Sequence, residues 1–292
     1  MSSSYGGCFG IGTLRGAMRS AREARLPWLP LIIMAIIFIC AAFAPLLAPH
    51  DTGINLLNNR MPPAQDWSHP LGTDIMGRDM LSRLIFGART AVVISLVALF
   101  TGGVVGTFLG VISGYKGGWL DAIVMRVAES TLGFPTILVA MIIVVVLSTG
   151  IQSIAMAVVL TVWARFARMI RGEVVGIKDL DFVLHARITG VSTPMILWRH
   201  VFPSTVNTLM VVTSLLIGQV ILLEASLSFL GLGLPPGASA WGIMVAEGRV
   251  EILTTWWLAL FPGLAITIVV LAFNFLGDWL RDALDPKLRR AR

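Results

Sequence analysis

DLDFVLHARITGVSTPMILWRHVFP, Asp179 to Pro203, is the stretch on which the reading of the whole chain turns. It is a polar island about as long as two short helices, set between two long apolar runs. Asp179 or Asp181 can cap a first helix, on which Leu180, Val183, Leu184 and Ile188 share one face, interrupted by Arg187. Gly190 stands where a C-terminal glycine ends such a helix in the left-handed conformation. Thr193 and Pro194 supply an N-cap and a first-turn proline, which restart a helix running to Pro203. The pattern predicts an amphipathic helix, a glycine turn and a second helix. The apolar runs hold this unit against a membrane and leave it to be gripped from outside.

Composition sets the class. Apolar residues make up 56% of the 292, charged residues only 13%, and mean hydropathy is +0.85. Soluble domains are roughly half apolar and a quarter charged. Several runs of about 20 apolar residues predict an all-α polytopic membrane protein. Cys8 and Cys40 are the only cysteines, so neither a disulfide framework nor a cysteine metal site is available.

In chain order, residues 1–27 form a tail that is rich in Ser and Gly and then basic. Residues 28–48 read as a first span, an uncleaved signal anchor ended by Pro45 and Pro49. Residues 49–87 are a polar connection containing HPLGTDIMGRDMLSRLIFGAR (His69 to Arg89), with Met80 to Phe86 as a short interfacial helix. His69, Asp74 and Asp79 have metal-ligating side chains, but without a second histidine nearby turn chemistry and helix capping is the better reading. The second span, about Ala91 to Ser113, carries Gly102, Gly106, Gly110 and Gly114 every fourth residue, a stripe suited to close helix packing. Tyr115 to Glu129 is a short polar turn. The third span (about Leu132 to Ser148) and the fourth (Ile151 to about Ile170) form a hairpin across Thr149 and Gly150. Arg165, Arg168 and Arg171 close the fourth span, spaced for snorkelling into an interface. The fifth span covers about Val206 to Ser226, Leu227 to Thr255 is a connection, and the sixth covers Trp256 to Leu276.

Several segments resemble one family. Ala186, three residues, Gly190, and then His200-Val201-Phe202-Pro203 is similar to the cytoplasmic loop of ABC importer permeases, whose pattern is Glu-Ala-Ala, three residues, Gly, nine residues, Ile-x-Leu-Pro. Leu184 and His185 replace the Glu-Ala pair here, and Phe202 the Leu. The His69–Arg89 segment resembles the one before the second span in dipeptide and oligopeptide permeases. EASLSFLGLG (Glu224 to Gly233), AWG (Ala240 to Gly242), WWLALFPGLAI (Trp256 to Ile266) and LRDALDPKLR (Leu280 to Arg289) resemble the same branch. The resemblance implies a type I ABC importer transmembrane domain over 88–278, with six transmembrane helices, followed by a C-terminal tail, 279–292. It implies a coupling helix docking on an ATPase through Asp181, Phe182, His185, Ala186, Gly190, Val191 and Pro203. The implied partners are a second homologous permease subunit, two cytoplasmic ABC ATPase subunits that use ATP and Mg, and an extracytoplasmic substrate-binding protein, in a bacterial plasma membrane. The implied cargo is a di- or oligopeptide, with nickel, glutathione or another small solute as the alternative. No cofactor or metal is expected on this chain.

Charge orients the six spans. Arg15, Arg19, Arg22, Arg25, Lys116, Arg126, Arg165, Arg168, Arg171, Lys178, Arg187, Arg199, Arg281, Lys287, Arg289, Arg290 and Arg292 fall on one side. Only Arg60, Arg78, Arg83, Arg89 and Arg249 fall on the other. The positive-inside rule puts both termini and the Asp179–Pro203 stretch in the cytoplasm. Topology thus accounts for the net charge of +6 without a nucleic-acid partner.

Chemistry within the spans is sparse. Glu224, with Ser226 and Ser228, has two readings: a place in the translocation pathway, or a structural partner for the bend before Ser226, which is preferred. The spans otherwise read as an apolar, weakly binding conduit. No lysine (Lys116, Lys178, Lys287) follows a glycine, so a phosphate-binding loop is excluded. An ion-coupled secondary transporter would need buried relays and has only Glu224 to offer. A membrane enzyme would need paired carboxylates or a nucleophile-base set, and none is present at membrane depth.

Overall fold

The computed structural model describes residues 27–235 and 237–284. The tail arginines Arg15 to Arg25, Cys8 and the basic residues from Lys287 onward lie outside the described residues. Among the described residues the fold is helical, and the extended pairing is a single bridge between Thr73 and Asp79.

The helices, in order, are α1 (Trp28–Ala42), α2 (Ala44–Leu47), α3 (Met80–Lys116), α4 (Gly118–Gly133), α5 (Thr136–Leu147), α6 (Ile151–Ile177), α7 (Asp181–Ile188), α8 (Thr193–Ile196), α9 (Phe202–Phe229), α10 (Trp241–Val250) and α11 (Trp257–Leu284). A short 3₁₀ turn covers Leu56–Asn58, and a π turn, Leu197–Val201, joins α8 to α9. Among the described residues four helices are long and apolar enough to cross a membrane, or five if the bent pair α4–α5 counts as one span. The expected count of six is not reached by helix length. Phe43 interrupts the first span, leaving α1 with 15 residues. At 1.5 Å per residue α1 reaches about 22 Å, short of a hydrocarbon layer of about 30 Å.

Other expectations change for local reasons. The interfacial helix and the second span are one 37-residue helix, α3, because nothing between Phe86 and Ala91 is a stronger breaker than Gly87. Asp79 caps α3 by accepting from Ser82 N at 2.8 Å, and Gly117, at φ +66°, ends it. The expected polar turn at Tyr115 to Glu129 is instead mostly helix α4. Pro135 forces Phe134 into an extended conformation (ψ 147°), and the chain turns by 95° between α4 and α5. The connection from Leu227 to Thr255 also holds a helix, α10.

The closest packing joins α3 to α6. A Cβ on Gly106 would lie 2.3 Å from the Trp163 carbonyl oxygen, and one on Gly110 would lie 2.6 Å from that of Ala167. Gly114 is nearly as tight, 3.0 Å from the Arg171 carbonyl, whereas Gly102 has ordinary clearance. Backbones this close leave no room for any side chain larger than hydrogen at Gly106 or Gly110. Around this seam α3, α5, α6 and α9 share one apolar core built on Ile94, Val158, Phe166 and Val220. A second core, with Met80, Trp241, Trp257 and Phe273, joins the start of α3 to α10 and α11.

Candidate functional site

At the Lys116 end of the bundle, α7 lies across the ends of α3 and α6. Val183 and Ala186 are buried against Val111, Ile170, Val174 and Ile177. The expected apolar face was Leu180, Val183, Leu184 and Ile188, and the observed one is rotated from it. Leu180 is half exposed and Ile188 is 81% exposed, because the i, i+3 pair Val183–Ala186 seats the helix. The helix ends in a Schellman turn. Gly190, at φ +80°, donates to the Arg187 carbonyl at 3.1 Å, and Val191 donates to that of Ala186 at 3.1 Å. Asp181 begins the helix as its first residue without making a side-chain cap. Arg187 fixes the outer side, with Nη2 3.3 Å from the Tyr115 hydroxyl and its guanidinium over that ring.

The second helix does not stop at Pro203. Ser192, not Thr193, is its N-cap residue, and the chain runs from Thr193 to Phe229 without a break. Pro203 has no N–H to donate, and its ring crowds the Arg199 carbonyl. The π turn Leu197–Val201 widens the helix at this point and relieves the clash, so the proline is absorbed rather than terminal. Of the residues singled out from sequence, Asp181, Phe182, His185, Gly190 and Pro203 are exposed, Val191 is half-buried, and Ala186 faces inward. The turn also exposes Ile188, Met195 and Trp198, the last 69% exposed and stacked on Phe202. Ile188 was expected on the buried face, and Met195 and Trp198 carry no signal in the sequence that marks them as exposed.

The opposite end of the bundle is closed by a polar cap. Asp74 is buried and accepts from Met76 N and Arg78 N at 2.8 Å, from Arg78 Nε at 2.6 Å and from Arg83 Nη1 at 2.7 Å. Glu247 of α10 meets Arg83 Nη1 at 2.7 Å, and Arg78 Nη1 donates to the Gly237 carbonyl at 2.8 Å. Two indoles fasten the same cap: Trp241 donates to the Leu84 carbonyl and Trp257 to that of Thr73. Arg60 pairs with Glu251 at the rim, and that hydrogen bond holds the Glu251 carboxyl below its ordinary range.

Asp74 therefore belongs to an ion network and not with His69 and Asp79. A second histidine does lie beside His69, contrary to the sequence reading. His50 comes from the start of the same connection, with its ring centroid 4.3 Å from that of His69. His69 Nδ1 is 3.0 Å from Asp79 Oδ1, while Asp79 Oδ2 accepts from Ser82 N and Oγ at 2.8 Å each. The carboxylate is engaged as the cap of α3.

Between these ends, α5, α6 and α9 line a cavity of about 230 Å³. Arg165, expected near the end of its span, lies about 18 Å before the end of α6, which continues to Ile177. It donates to the Gln219 side chain and, at 3.2 Å, to the Thr136 hydroxyl. The wall of this cavity is therefore not free of charge. Ser226 lines this cavity, whereas Glu224 and Ser228 do not. Both of those are buried, with Ser228 Oγ donating to Glu224 Oε1 at 2.8 Å where Gly242 of α10 packs on Ala225. Arg171, two turns further along α6, pairs with Asp121 of α4 at 2.6 Å.

Comparison with known proteins agrees with this architecture. Residues 106–290 match the family described as binding-protein-dependent transport system inner membrane component. The dipeptide transport system permease protein DppC of Bacillus subtilis (strain 168) is 37% identical over 276 residues, covering 94% of this chain and 86% of that protein. The oligopeptide transport system permease protein OppC of the same organism is 37% identical, covering 94% and 90%. The glutathione transport system permease protein GsiD of Pectobacterium atrosepticum is 39% identical, covering 88% and 86%. Among solved structures, a chain of the MetNI methionine ABC transporter, in an inward-facing conformation, aligns with a TM-score of 0.55 at 17% identity over 70% of this chain and 98% of that one. The chain belongs to the family of binding-protein-dependent transport system inner membrane components.

Proposed function

We propose that this chain is a multi-pass permease subunit of an ATP-driven ABC importer for di- or oligopeptides, and that α7 with its glycine turn is the coupling element. The observation that carries the reading is the seat of α7. It is an amphipathic helix packed by Val183 and Ala186 on the ends of two long apolar helices, with Phe182, His185, Ile188 and Trp198 turned outward. A solvated loop has no reason to expose four such side chains on an ordered turn. The relatives are named for dipeptide, oligopeptide and glutathione transport, which supports a peptide-type cargo over nickel. A second permease, two ATPases and an extracytoplasmic binding protein complete the assembly, and ATP and Mg are used by the ATPases. This chain contributes no catalysis and half of the pathway.

Reconstitution tests the reading. The purified chain is expected to hydrolyse no ATP, and peptide-stimulated hydrolysis is expected only when the permease pair, the ATPases and the binding protein are combined in proteoliposomes. Peptide uptake by this chain alone, driven by a proton or sodium gradient, would establish the secondary-transporter alternative instead.

The orientation, with both termini and α7 cytoplasmic, is tested separately. Gly237 is a poor labelling position, since its φ is +88° and a Cβ there would sit 3.2 Å from Arg78 Nη1. Leu253, at 96% exposure, is a better one. In a chain freed of Cys8 and Cys40, Leu253→Cys should react with an impermeant thiol reagent added outside intact cells, and His185→Cys should not. The reverse labelling would invert the topology and remove α7 from any ATPase.

A further inference from the structure

Arg165 is the charge that the packing does not explain. It stands inside α6, about 21 Å from its Ile151 end and about 18 Å from its Ile177 end, and turns toward α5 and α9 rather than outward. Its hydrogen-bond partners, Gln219 and Thr136, are neutral, and among the described residues it forms no ion pair. It is partly buried on the wall of the 230 Å³ cavity between α5, α6 and α9, beside Thr161 and Ser226. Glu224, near the Phe229 end of α9, does not face it and is turned away into the α9–α10 contact.

The break at Pro135 adds to this. It starts α5 at the cavity, and the amides of Thr136 and Ile137, in the first turn, have no helical carbonyl to bond. The positive end of the α5 dipole and the guanidinium therefore converge on one cleft, with hydroxyl groups around it. Such a cleft favours a planar anion, which a guanidinium can meet with two parallel hydrogen bonds.

We infer that Arg165 contacts the carboxylate of the transported peptide as it passes the cleft between α5, α6 and α9, making it a specificity-determining residue that favours carboxylate-bearing cargo over a bare divalent cation. This rests on the peptide-importer reading above. Gln219 and Thr136 act as positioning residues, holding the guanidinium across the cleft until the carboxylate displaces one of them.

The test is a charge series at this position in the complete complex reconstituted in proteoliposomes. The probes are synthetic di- to pentapeptides with free C-termini, together with glutathione, and luminal uptake is read by mass spectrometry per assembled complex. Arg165→Lys should stay within a few-fold of the parent, since it keeps the charge and loses the fork. Arg165→Gln should lose roughly tenfold to a hundredfold, the value of a charge-assisted contact, and Arg165→Glu should lose more. Equal losses for Lys, Gln and Glu would mean a packing role and overturn the inference, as would parent-like uptake by the Gln or Glu variant. If the parent complex takes up none of these probes, the peptide-importer reading falls and the inference falls with it.

Discussion

Asp74→Ala should destabilise the protein by about 3–5 kcal/mol, the cost of removing one partner from a buried ion cluster. Asp74 is 1% exposed and accepts four hydrogen bonds, two of them from guanidiniums that are themselves 3% and 1% exposed. Its loss leaves Arg78 and Arg83 with Glu247 as the remaining carboxylate, and Arg83 Nε already lacks a partner. Asp74→Asn should cost less, because an amide oxygen can still accept from Met76 N and Arg78 N. Thermal unfolding of the detergent-solubilised protein, followed through the buried Trp241 and Trp257, gives the measurement. In the double variant Asp74→Ala/Arg83→Leu the penalties should fall short of their sum, as expected for groups in direct contact. A change below 1 kcal/mol for Asp74→Ala would show that the cap does not depend on this network.

Gly190→Val should abolish coupled transport while leaving the protein in the membrane. Gly190 has φ +80°, and a Cβ there would meet nothing within 4 Å, so the substitution acts on backbone conformation alone. The left-handed region costs an ordinary residue about 1–2 kcal/mol, and a β-branched one suffers most. The escape is to lengthen or re-aim α7, which breaks the Val191–Ala186 and Gly190–Arg187 bonds and moves Phe182, His185 and Trp198 relative to any partner. The packing of α3 on α6 is remote from this turn, so insertion should survive. Peptide-stimulated ATP hydrolysis and uptake should both fall more than tenfold in the assembled complex. Gly190→Ala should be milder, and Gly190→Asn close to the parent, because asparagine tolerates this conformation. Full coupling in the Val variant would show that the turn does not set the interface.

The legible parts of the sequence were those set by local rules. Gly190 followed from helix punctuation alone, since a glycine after an amphipathic run predicts a left-handed C-terminus. Apolar length located the long helices, but not where they break. The first span breaks at Phe43, just ahead of Pro45, and Pro135 bends α4–α5, whereas Pro203 is absorbed by a π turn. The same residue type thus has opposite outcomes depending on whether neighbouring turns can widen. The cap was hidden for a different reason. Asp74 and Arg78 are four apart and could be paired on sight, but Glu247 and His50 reach their partners only through the tertiary fold. Arg165 was read as an interfacial residue because its two neighbours three and six positions on suggested a helix end. The helix continues to Ile177, and the contacts with Gln219 and Thr136 that turn the guanidinium into the bundle form only through the tertiary fold.

The unbroken run from Thr193 to Phe229 is 37 residues, a rod about 55 Å long. A rod pivoting near its midpoint moves its two ends in opposite directions, and a tilt of only 5° displaces each by about 2.4 Å, on the rise per residue of an α-helix. One end carries Trp198, on the surface beside α7, and the far half carries Gln219 and Ser226, on the cavity wall. A push at the exposed turn is therefore a shift of opposite sense, a little over half as large, at Gln219, where Arg165 is held. The rod needs no relay of intermediate side chains to do this, and its most compliant point is the widened turn at Leu197–Val201, directly beneath the place where force would be applied.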